Sequence, residues 1–426
     1  MKMLRLTHLF AGQKEDFKNI LRNNDDCYLE LVKKIKQNGI DITGGISCAL
    51  GKIGYTVTDI YFGIRELQLK WADENSIKFD EINWETNSLH SQISKLRPEI
   101  IFIQTPSNWL LDFFKKMRKE WNFIKLIVIH SVYGGNILDF SCADLLLMGT
   151  PRLVSRYKEL GYKPELFYYY VDTSVLTKFV SIKRMNRPVF LGSSGYGHGF
   201  AHSSRYWLLR ELMAKTNLEI WENVVQSKEN ATMKNKFRNQ IKNIIYELGS
   251  LRKYMKLAPF QSNLSILCTE IENEIIFKSK GLKIADKSMV ELYPKRCHLP
   301  VFGPDYYGLI GSSTICFHKG GDNTHDSVDN IAGNAGALRM FEVTGLGTCL
   351  VADKAMNDGD LFTPGSEMCT YQSPEEAIEL INYLVAEPDK CYEISRAGKR
   401  RCETSHSSEI RANQLDILIK KELKGR

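Results

Sequence analysis

The sequence predicts an α/β fold in which two sheet-and-helix halves are joined by one linker. Short apolar runs alternate with longer amphipathic stretches, which is the pattern of β-α-β units with parallel strands. This alternation stops at a polar connector, residues 172–187, and then starts again. The length of 426 residues agrees with two halves, because a domain has roughly 150 residues.

The first half contains six candidate strands. Between them lie stretches whose apolar residues recur at helical spacing, for example 28–37 and 109–121. We therefore predict a Rossmann-like domain over residues 1–178, with right-handed crossovers between parallel strands. The candidate strands cover residues 4–10, 55–61, 100–104, 126–130, 145–148 and 166–170.

The second half starts with a candidate strand at 189–191, a glycine-rich turn at 192–199 and a helix from about residue 203. Near the end, Ser373, Pro374 and Glu376 have the spacing of a helix start. We predict a second domain over residues 186–405, with a basic helical insertion at about 223–262. A final helix, 406–426, is predicted to pack back on the first domain. The other candidate strands of this half cover residues 218–221, 282–284, 314–317 and 348–352.

Composition excludes several classes of protein. Apolar residues make up 43% and charged residues 25%, which is unlike disordered, collagen-like or coiled-coil chains. No apolar run reaches the length of a membrane-spanning helix, and the first ten residues do not resemble a secretory signal. The ten cysteines are scattered without a C-x-x-C pair, so we predict neither a disulfide framework nor structural zinc. We expect a soluble cytoplasmic protein.

The net charge of +7 is concentrated in one segment. Residues 223–264 contain eight lysines and arginines against two glutamates, and their apolar residues recur at helical spacing. Such a helix suits an anionic lipid surface or an acidic acceptor carrier, which would place the protein at the inner face of a membrane. The favoured alternative is a helix that packs on its own domain with solvated lysines.

A run of small residues, 330–337, leads into a predicted helix that carries Arg339 and Glu342. A helix N-terminus with unpaired N–H groups favours phosphate. We predict that a pyrophosphate docks there, that Arg339 adds positive charge, and that Glu342 accepts hydrogen bonds from a pair of ribose hydroxyls. An ordinary helix with a solvated Arg339–Glu342 pair is an equally weighted alternative. The predicted donor-binding residues of this segment are Asn334, Ala335, Gly336, Ala337, Leu338, Arg339 and Glu342.

The turn that begins at Gly192 and Ser193 leads to His202 and Arg205, and we predict a second contact for phosphate or sugar there. It is not the dinucleotide fingerprint, because its glycines do not follow the G-x-G-x-x-G spacing. A mobile loop is the alternative for this turn. His130 follows a predicted strand and is the general-base candidate, although a purely structural role is the stronger alternative.

One polar loop contains four residues whose side chains can bind metals. The residues are His318, Asp322, His325 and Asp326. Because the loop is rich in glycine and asparagine, we favour a solvated loop and predict no metal site.

Residues 300–411 resemble one enzyme family. Residues 301–307 (Val-Phe-Gly-Pro-Asp-Tyr-Tyr) and 339–347 (Arg-Met-Phe-Glu-Val-Thr-Gly-Leu-Gly) are similar to motifs of the spore-maturation, CgeB-like glycosyltransferases, which have the GT-B architecture. The stretches 361–367 and 371–376, and Ala397 to Arg400 with His406 and Arg411, resemble the closing motifs of that family. The Gly192 turn resembles the start of its donor domain, except that His202 comes four residues late.

The resemblance implies two Rossmann-like domains that face each other across a cleft, with the acceptor on the first domain and the donor on the second. It implies transfer of a sugar from a nucleotide diphosphate sugar to an acceptor hydroxyl, without metal or cofactor. The acceptor would be a saccharide, free or linked to lipid or protein, in bacterial surface polysaccharide or glycoconjugate synthesis. Glu342 corresponds to the carboxylate that holds the donor ribose. Related retaining enzymes have a Glu-x7-Glu motif, and Asn334 stands at its first glutamate, eight places before Glu342. Ala337 stands where the family has an asparagine.

Three other functions remain as alternatives. A sugar-nucleotide epimerase with the same fold would turn over the donor without an acceptor. A nicotinamide-dependent oxidoreductase would use the Gly192 turn, with Glu222 as ribose partner, but the glycine spacing disfavours it. A non-enzymatic protein would bind nucleic acid or an anionic surface through the basic segment; because its basic residues are not interleaved with a stacking platform of several exposed aromatic residues, we expect no nucleic-acid partner.

Overall fold

The computed structural model describes residues 1–9, 11–21, 26–132, 137–181, 183–197, 202–222, 271, 274–276, 278, 279, 281, 283–320 and 336–425. These residues form two parallel, six-stranded sheets covered by helices. The predicted basic insertion at 223–262 lies outside the described residues. In the described part of the chain, no helix is both long enough and apolar enough to cross a membrane.

The first sheet has the strand order β2-β1-β3-β4-β5-β6, and all neighbours are parallel. Its two central strands β3 and β4 are buried throughout, because helices cover both faces of the sheet; β3 is a continuous apolar run, whereas β4 is apolar up to Ile129 and ends with His130 and Ser131. Its strands are β1 (Lys2–Thr7), β2 (Thr56–Tyr61), β3 (Ile100–Ile103), β4 (Leu126–Ser131), β5 (Leu145–Met148) and β6 (Pro164–Leu166). Its helices are α1 (Ala11–Leu21), α2 (Tyr28–Gln37), α3 (Gly45–Lys52), α4 (Arg65–Glu74), α5 (Trp84–Leu96), α6 (Asn108–Met117) and α7 (Pro151–Glu159).

A short helix, α8 (Thr173–Leu176), connects the two sheets. Asp172 is its N-cap, and the Asp172 side chain accepts from the N–H groups of Ser174 and Val175. The second sheet has the order β12-β11-β10-β7-β8-β9, again all parallel. Its strands are β7 (Met185–Leu191), β8 (Glu219–Trp221), β9 (Cys297–His298), β10 (Ser313–His318), β11 (Cys349–Asp353) and β12 (Cys369–Tyr371). Its helices are α9 (Ser203–Lys215), α10 (Met289–Leu292), α11 (Gly303–Gly311), α12 (Leu338–Gly345), α13 (Asp358–Leu361), α14 (Pro374–Ala386) and α15 (Pro388–Ser405).

Two predicted strands are wrong or displaced. Residues 283 and 284 of the predicted strand 282–284 are irregular, and the edge strand is β9 instead. The strand predicted at 166–170 is displaced towards the N-terminus, since β6 covers Pro164–Leu166. The predicted helix start at Ser373 is confirmed, since the Ser373 hydroxyl accepts from the Glu376 N–H.

The last helix, α16 (Ser408–Lys424), packs against the first domain, as the fold prediction required. Its residues Ala412, Leu415 and Ile419 are buried in the core that includes β3 to β5. At its outer edge, the Tyr55 hydroxyl donates to Asp416 at 2.8 Å. The chain therefore ends on the domain in which it began.

A buried ionic cluster lies within the first domain and was not predicted. Arg5 in the middle of β1 has no exposed surface, and its guanidinium donates to Asp41 at 2.8 Å and to Asp59 at 2.9 Å. Lys36 adds a bond to Asp59 at 2.7 Å. Burial alone would raise the pKa of Asp59, but Arg5 and Lys36 outweigh burial and hold this pKa below its usual value.

Replacing Arg5 with Met should destabilise the first domain strongly. The change leaves Asp41 and Asp59 buried without their shared cation, and breaking a buried pair in this way costs about 3–5 kcal/mol. Urea unfolding of the purified variant measures the loss. Lys36→Met is the control, because Asp59 keeps Arg5 there and the loss should be smaller; a larger loss for Lys36→Met would contradict this account.

Candidate active site

The second sheet has a topological switch point between β7 and β10. From β7 the chain proceeds to β8 and β9 on one side, and from β10 it proceeds to β11 and β12 on the other. In parallel α/β sheets, ligands bind at such a point, outside the carboxyl ends of the strands. The loops that start at Gly192 and at Lys319 leave the sheet there.

The two domains meet along a cleft. A β-carbon at Gly336 would lie 2.9 Å from the carbonyl oxygen of Gly149, which belongs to the first domain. On the other side, a β-carbon at Gly303 would lie 2.6 Å from a carboxylate oxygen of Asp16 in α1. Burial, Asp305 and Glu15 raise the pKa of Asp16 to about 6. The start of α11 and the segment before α12 therefore face the first domain directly.

Arg339 brings the two predicted phosphate sites together. It lies in the first turn of α12, and its Nη1 donates to the carbonyl oxygen of Leu191 at the end of β7. A β-carbon at Gly192 would lie 3.2 Å from this nitrogen, and Gly192 has a φ of +133°, which residues with side chains rarely adopt. The Gly192 turn and the start of α12 thus form one site.

The other residues predicted in the Gly192 turn also lie there. The carbonyl oxygen of Ser193 accepts from Arg205 Nη1 at 3.1 Å. His202 precedes α9 with a φ of +63°, and a β-carbon at Gly195 would lie 2.6 Å from its carbonyl oxygen. The turn is therefore packed on the start of α9.

The start of α12 is described only in part. Gly336 and Ala337 precede the helix, Ala337 is its N-cap without a side-chain cap, and Leu338 is its first residue. The first N–H groups of a helix have no partner within the helix. The predicted residues Asn334 and Ala335 lie outside the described residues.

A third cation near the switch point was not predicted. Lys319 follows β10, and its Nζ lies 3.5 Å from Asp353, whose other carboxylate oxygen accepts from the Gly320 N–H at 3.1 Å. Burial, together with Arg339, Arg205 and Lys319, lowers the pKa of His318 to about 3, although Asp353 opposes them. His318 is therefore neutral, in a region of positive potential. In the sequence, only the position of His318 directly after a predicted strand pointed to this part of the site.

The described residues contain no group of three or more metal-binding side chains. Of the loop considered for metal, only His318 is described; Asp322, His325 and Asp326 lie outside the described residues.

Glu342 lies one turn beyond Arg339 and is 7% exposed. Its two carboxylate oxygens accept from the hydroxyls of Tyr306 at 2.9 Å and Tyr307 at 3.0 Å, both in α11. Arg339 Nε donates to the same Tyr306 hydroxyl at 3.1 Å. Burial raises the pKa of Glu342, and Arg339 and the two tyrosines oppose this effect. The solvated Arg339–Glu342 pair of the alternative interpretation is not what the structure contains.

The helix α11 presents two consecutive tyrosines to one carboxylate. Phe302 is the extended N-cap, and Pro304 occupies the first turn, where its missing N–H costs nothing. Consecutive helical residues point about 100° apart. The rings of Tyr306 and Tyr307 accordingly meet edge to face at 5.1 Å, with Glu342 between their hydroxyls.

His130 lies at the end of β4, where it was predicted, but its side chain is fully buried. Its Nε2 is 2.9 Å from the carbonyl oxygen of Phe167, and its ring packs against Phe167 and Tyr169. Burial lowers the pKa of His130 to about 4. The assignment of His130 as a base stays a prediction.

Glu222 stabilises the Gly192 turn from its buried side. It follows β8, is 2% exposed, and accepts from the Ser194 N–H at 3.1 Å. Burial raises its pKa. This support of the turn differs from the role of ribose partner that the oxidoreductase alternative assigns to Glu222.

The comparisons with known proteins agree with this architecture. Residues 281–416, which include α11 and α12, match a family model described as glycosyl transferase-like. A glycosyltransferase from Rickettsia africae has a TM-score of 0.52 and 13% identity, with 100% of this chain and 99% of that chain covered. HepE from Anabaena, in complex with UDP and glucose, has a TM-score of 0.52 and 11% identity, with 99% and 100% covered.

A third similar structure is the sucrose-phosphate synthase from Thermosynechococcus elongatus, with a TM-score of 0.50, 10% identity and both chains fully covered. The chain has the GT-B fold. At these identities the likeness extends to the fold alone. A comparison with curated proteins gave no match.

The neutral state of His130 predicts a pH dependence of stability. Its folded pKa of about 4 lies below the ordinary value of 6.5, so the unfolded chain takes up the proton first as the pH falls. The contribution is complete above about pH 6.5 and is lost towards pH 4, which amounts to roughly 3 kcal/mol at 1.36 kcal/mol per pKa unit. Urea unfolding between pH 4 and 7.5 should therefore give a flatter curve for His130→Gln than for the wild type. Parallel curves would contradict the assigned burial.

Proposed function

We propose that the protein is a glycosyltransferase that moves a sugar from a nucleotide diphosphate sugar to an acceptor hydroxyl in the cleft between its domains. The observation that carries this proposal is the position of Arg339 on the Gly192 turn, with the buried Glu342 one helical turn beyond it. The glycosyl transferase-like match over residues 281–416 and the GT-B fold support it.

The proposed donor site follows from these contacts. The diphosphate binds between Gly192, Ser193 and the start of α12, where Arg339 and Arg205 supply positive charge. Residues 334–338 and His202 complete this side of the proposed site. The ribose hydroxyls donate to Glu342, because each of its carboxylate oxygens can accept a second bond besides the one from tyrosine. HepE was solved with UDP and glucose, so a uridine diphosphate sugar is our first candidate for the donor.

In the proposed reaction the acceptor oxygen forms a bond to the sugar C1, and the bond between C1 and the diphosphate oxygen breaks, with its electron pair leaving on the diphosphate. Arg339, Arg205 and Lys319 stabilise the negative charge that develops on the diphosphate, and we propose that no metal ion is needed for this. In an inverting reaction, a base of the first domain takes the acceptor proton. For His130 that base would be Nδ1, since Nε2 is occupied by Phe167, and the acceptor reaches it only after the covering residues move.

The finer assignments are also proposals. The motifs at 301–307 and 339–347 support membership of the CgeB-like family. With that membership come a role in bacterial surface polysaccharide or glycoconjugate synthesis and a saccharide acceptor, free or bound to lipid or protein. We further propose a cytoplasmic location, with peripheral contact at the inner face of the membrane through the basic segment.

Nucleotide binding should depend on Glu342. In a thermal-shift panel of UDP, GDP, ADP and TDP, at least one nucleotide should stabilise the wild type by about 2.7 kcal/mol at 100 times its dissociation constant. Glu342→Ala should remove most of this shift, whereas Glu393→Ala, an exposed acid of α15, should keep it. Equal shifts in the wild type and Glu342→Ala would argue against the ribose contact.

Transfer should depend on Arg339 and on an acceptor. Arg339→Met should lower kcat by a factor on the order of 10² to 10³, as expected when one donor to a developing negative charge is removed. The release of nucleoside diphosphate from a nucleotide sugar measures this, with the exposed Arg396→Met as control. Release should require an acceptor saccharide and persist in EDTA. Turnover of the donor without acceptor would favour the epimerase, and loss of activity in EDTA would contradict metal independence.

A further inference from the structure

One hydroxyl group lies between the residue assigned to the diphosphate and the residue assigned to the ribose. The Tyr306 hydroxyl accepts from Arg339 Nε at 3.1 Å and donates to Glu342 Oε2 at 2.9 Å. Among the described residues, the hydrogen bonds of Arg339 and Glu342 run to other groups and not to each other, and their charges attract each other without a direct ion pair. The contact between these two side chains therefore runs through Tyr306.

We propose that Tyr306 is a positioning residue that makes recognition of the diphosphate and recognition of the ribose cooperative. This inference rests on the proposed function and goes beyond it. Because Arg339 is the donor to Tyr306, the direction of the guanidinium decides where the hydroxyl proton points. That proton in turn decides which lone pairs of Glu342 are left for a ribose hydroxyl.

The surroundings strengthen this coupling. Glu342 is buried, and hydrogen bonds in series polarise one another more strongly where water is excluded. Burial raises the pKa of Tyr306 well above its usual value, so its hydroxyl keeps the proton that it donates. A diphosphate that fixes Arg339 against the Gly192 turn thereby orders Glu342 before the ribose binds.

Tyr307 provides a matched control. Its hydroxyl donates to the other oxygen of Glu342 at 3.0 Å, and the contacts of the described residues do not connect it to Arg339. Its ring packs towards the first domain, where a β-carbon at Gly39 would lie 3.0 Å from it. Tyr307 thus supports Glu342 without the link to the phosphate side.

The test is a cycle of four ligands, measured by calorimetry on the wild type, Tyr306→Phe and Tyr307→Phe. The ligands are UDP, UMP and their 2′,3′-dideoxy forms, or the same set with the base that binds best in the thermal-shift panel. For each protein, the fold-loss in affinity on removing the ribose hydroxyls is measured for the diphosphate and for the monophosphate, and the ratio of these two losses is the readout. On the wild type we expect the loss to be larger for the diphosphate, which gives a ratio of about 5 to 10.

Tyr306→Phe should bring this ratio close to one, whereas Tyr307→Phe should weaken ribose recognition in both series and keep the ratio. An unchanged ratio in Tyr306→Phe, an equal loss in both variants, or a ratio of one in the wild type would overturn the inference. A wild type that binds no nucleoside diphosphate would instead overturn the proposed function. Melting of the free variants checks their folding, and a Tyr306→Phe protein that melts with the wild type and loses the ratio supports the inference.

Discussion

The candidate site depends on the burial of the Glu342 carboxylate. A carboxylate that is removed from water without partners costs several kcal/mol, so the fold must bring hydrogen-bond donors to both of its oxygens. α11 supplies these donors as two consecutive tyrosines, and this fixes α11 against α12. Because Tyr307 also packs towards Gly39, the requirement extends across the cleft to the first domain. The partners of one buried carboxylate therefore link two helices that also pack through an apolar core, and Tyr307 extends this link to the first domain.

The charges on the two sides of the cleft differ. Arg205, Arg339 and Lys319 lie near the switch point of the second sheet, and two acids beside them have raised pKa values because they are buried, Glu222 and Glu342. Opposite α11, Asp16 lies near Asp305, and burial and this second carboxylate raise its pKa to about 6. The three cations thus lie near the ends of β7 and β10, where an anion fits, and two acids, Asp16 and Asp305, lie where α1 meets α11.

The parts predicted correctly are those that leave a local signal in the sequence. Strand β3 and the first four residues of β4 are apolar because both faces of the sheet are covered, and the spacing of Arg339 and Glu342 gives their order along one helix. The edge strand β9 has two residues and one neighbour, so it needs no apolar run and was missed. Arg5 was missed because its partners are distant in sequence, and so was the Tyr306 contact, which joins residues 33 and 36 positions apart. For His130 the strand end was predicted, but not that Phe167 and Tyr169 cover it.

The Gly192 turn distinguishes the glycosyltransferase from the oxidoreductase alternative. An oxidoreductase that uses the Gly192 turn needs an acid at the end of the next strand to hold a ribose, and Glu222 has the required position. In the structure, however, Glu222 is 2% exposed and accepts from the Ser194 N–H, so it supports the turn from within the domain. The acid with hydroxyl partners lies instead beyond Arg339, on a different helix. Under the proposed function, a donor whose phosphates lie at Gly192 has its ribose at Glu342, an arrangement that the oxidoreductase alternative does not use.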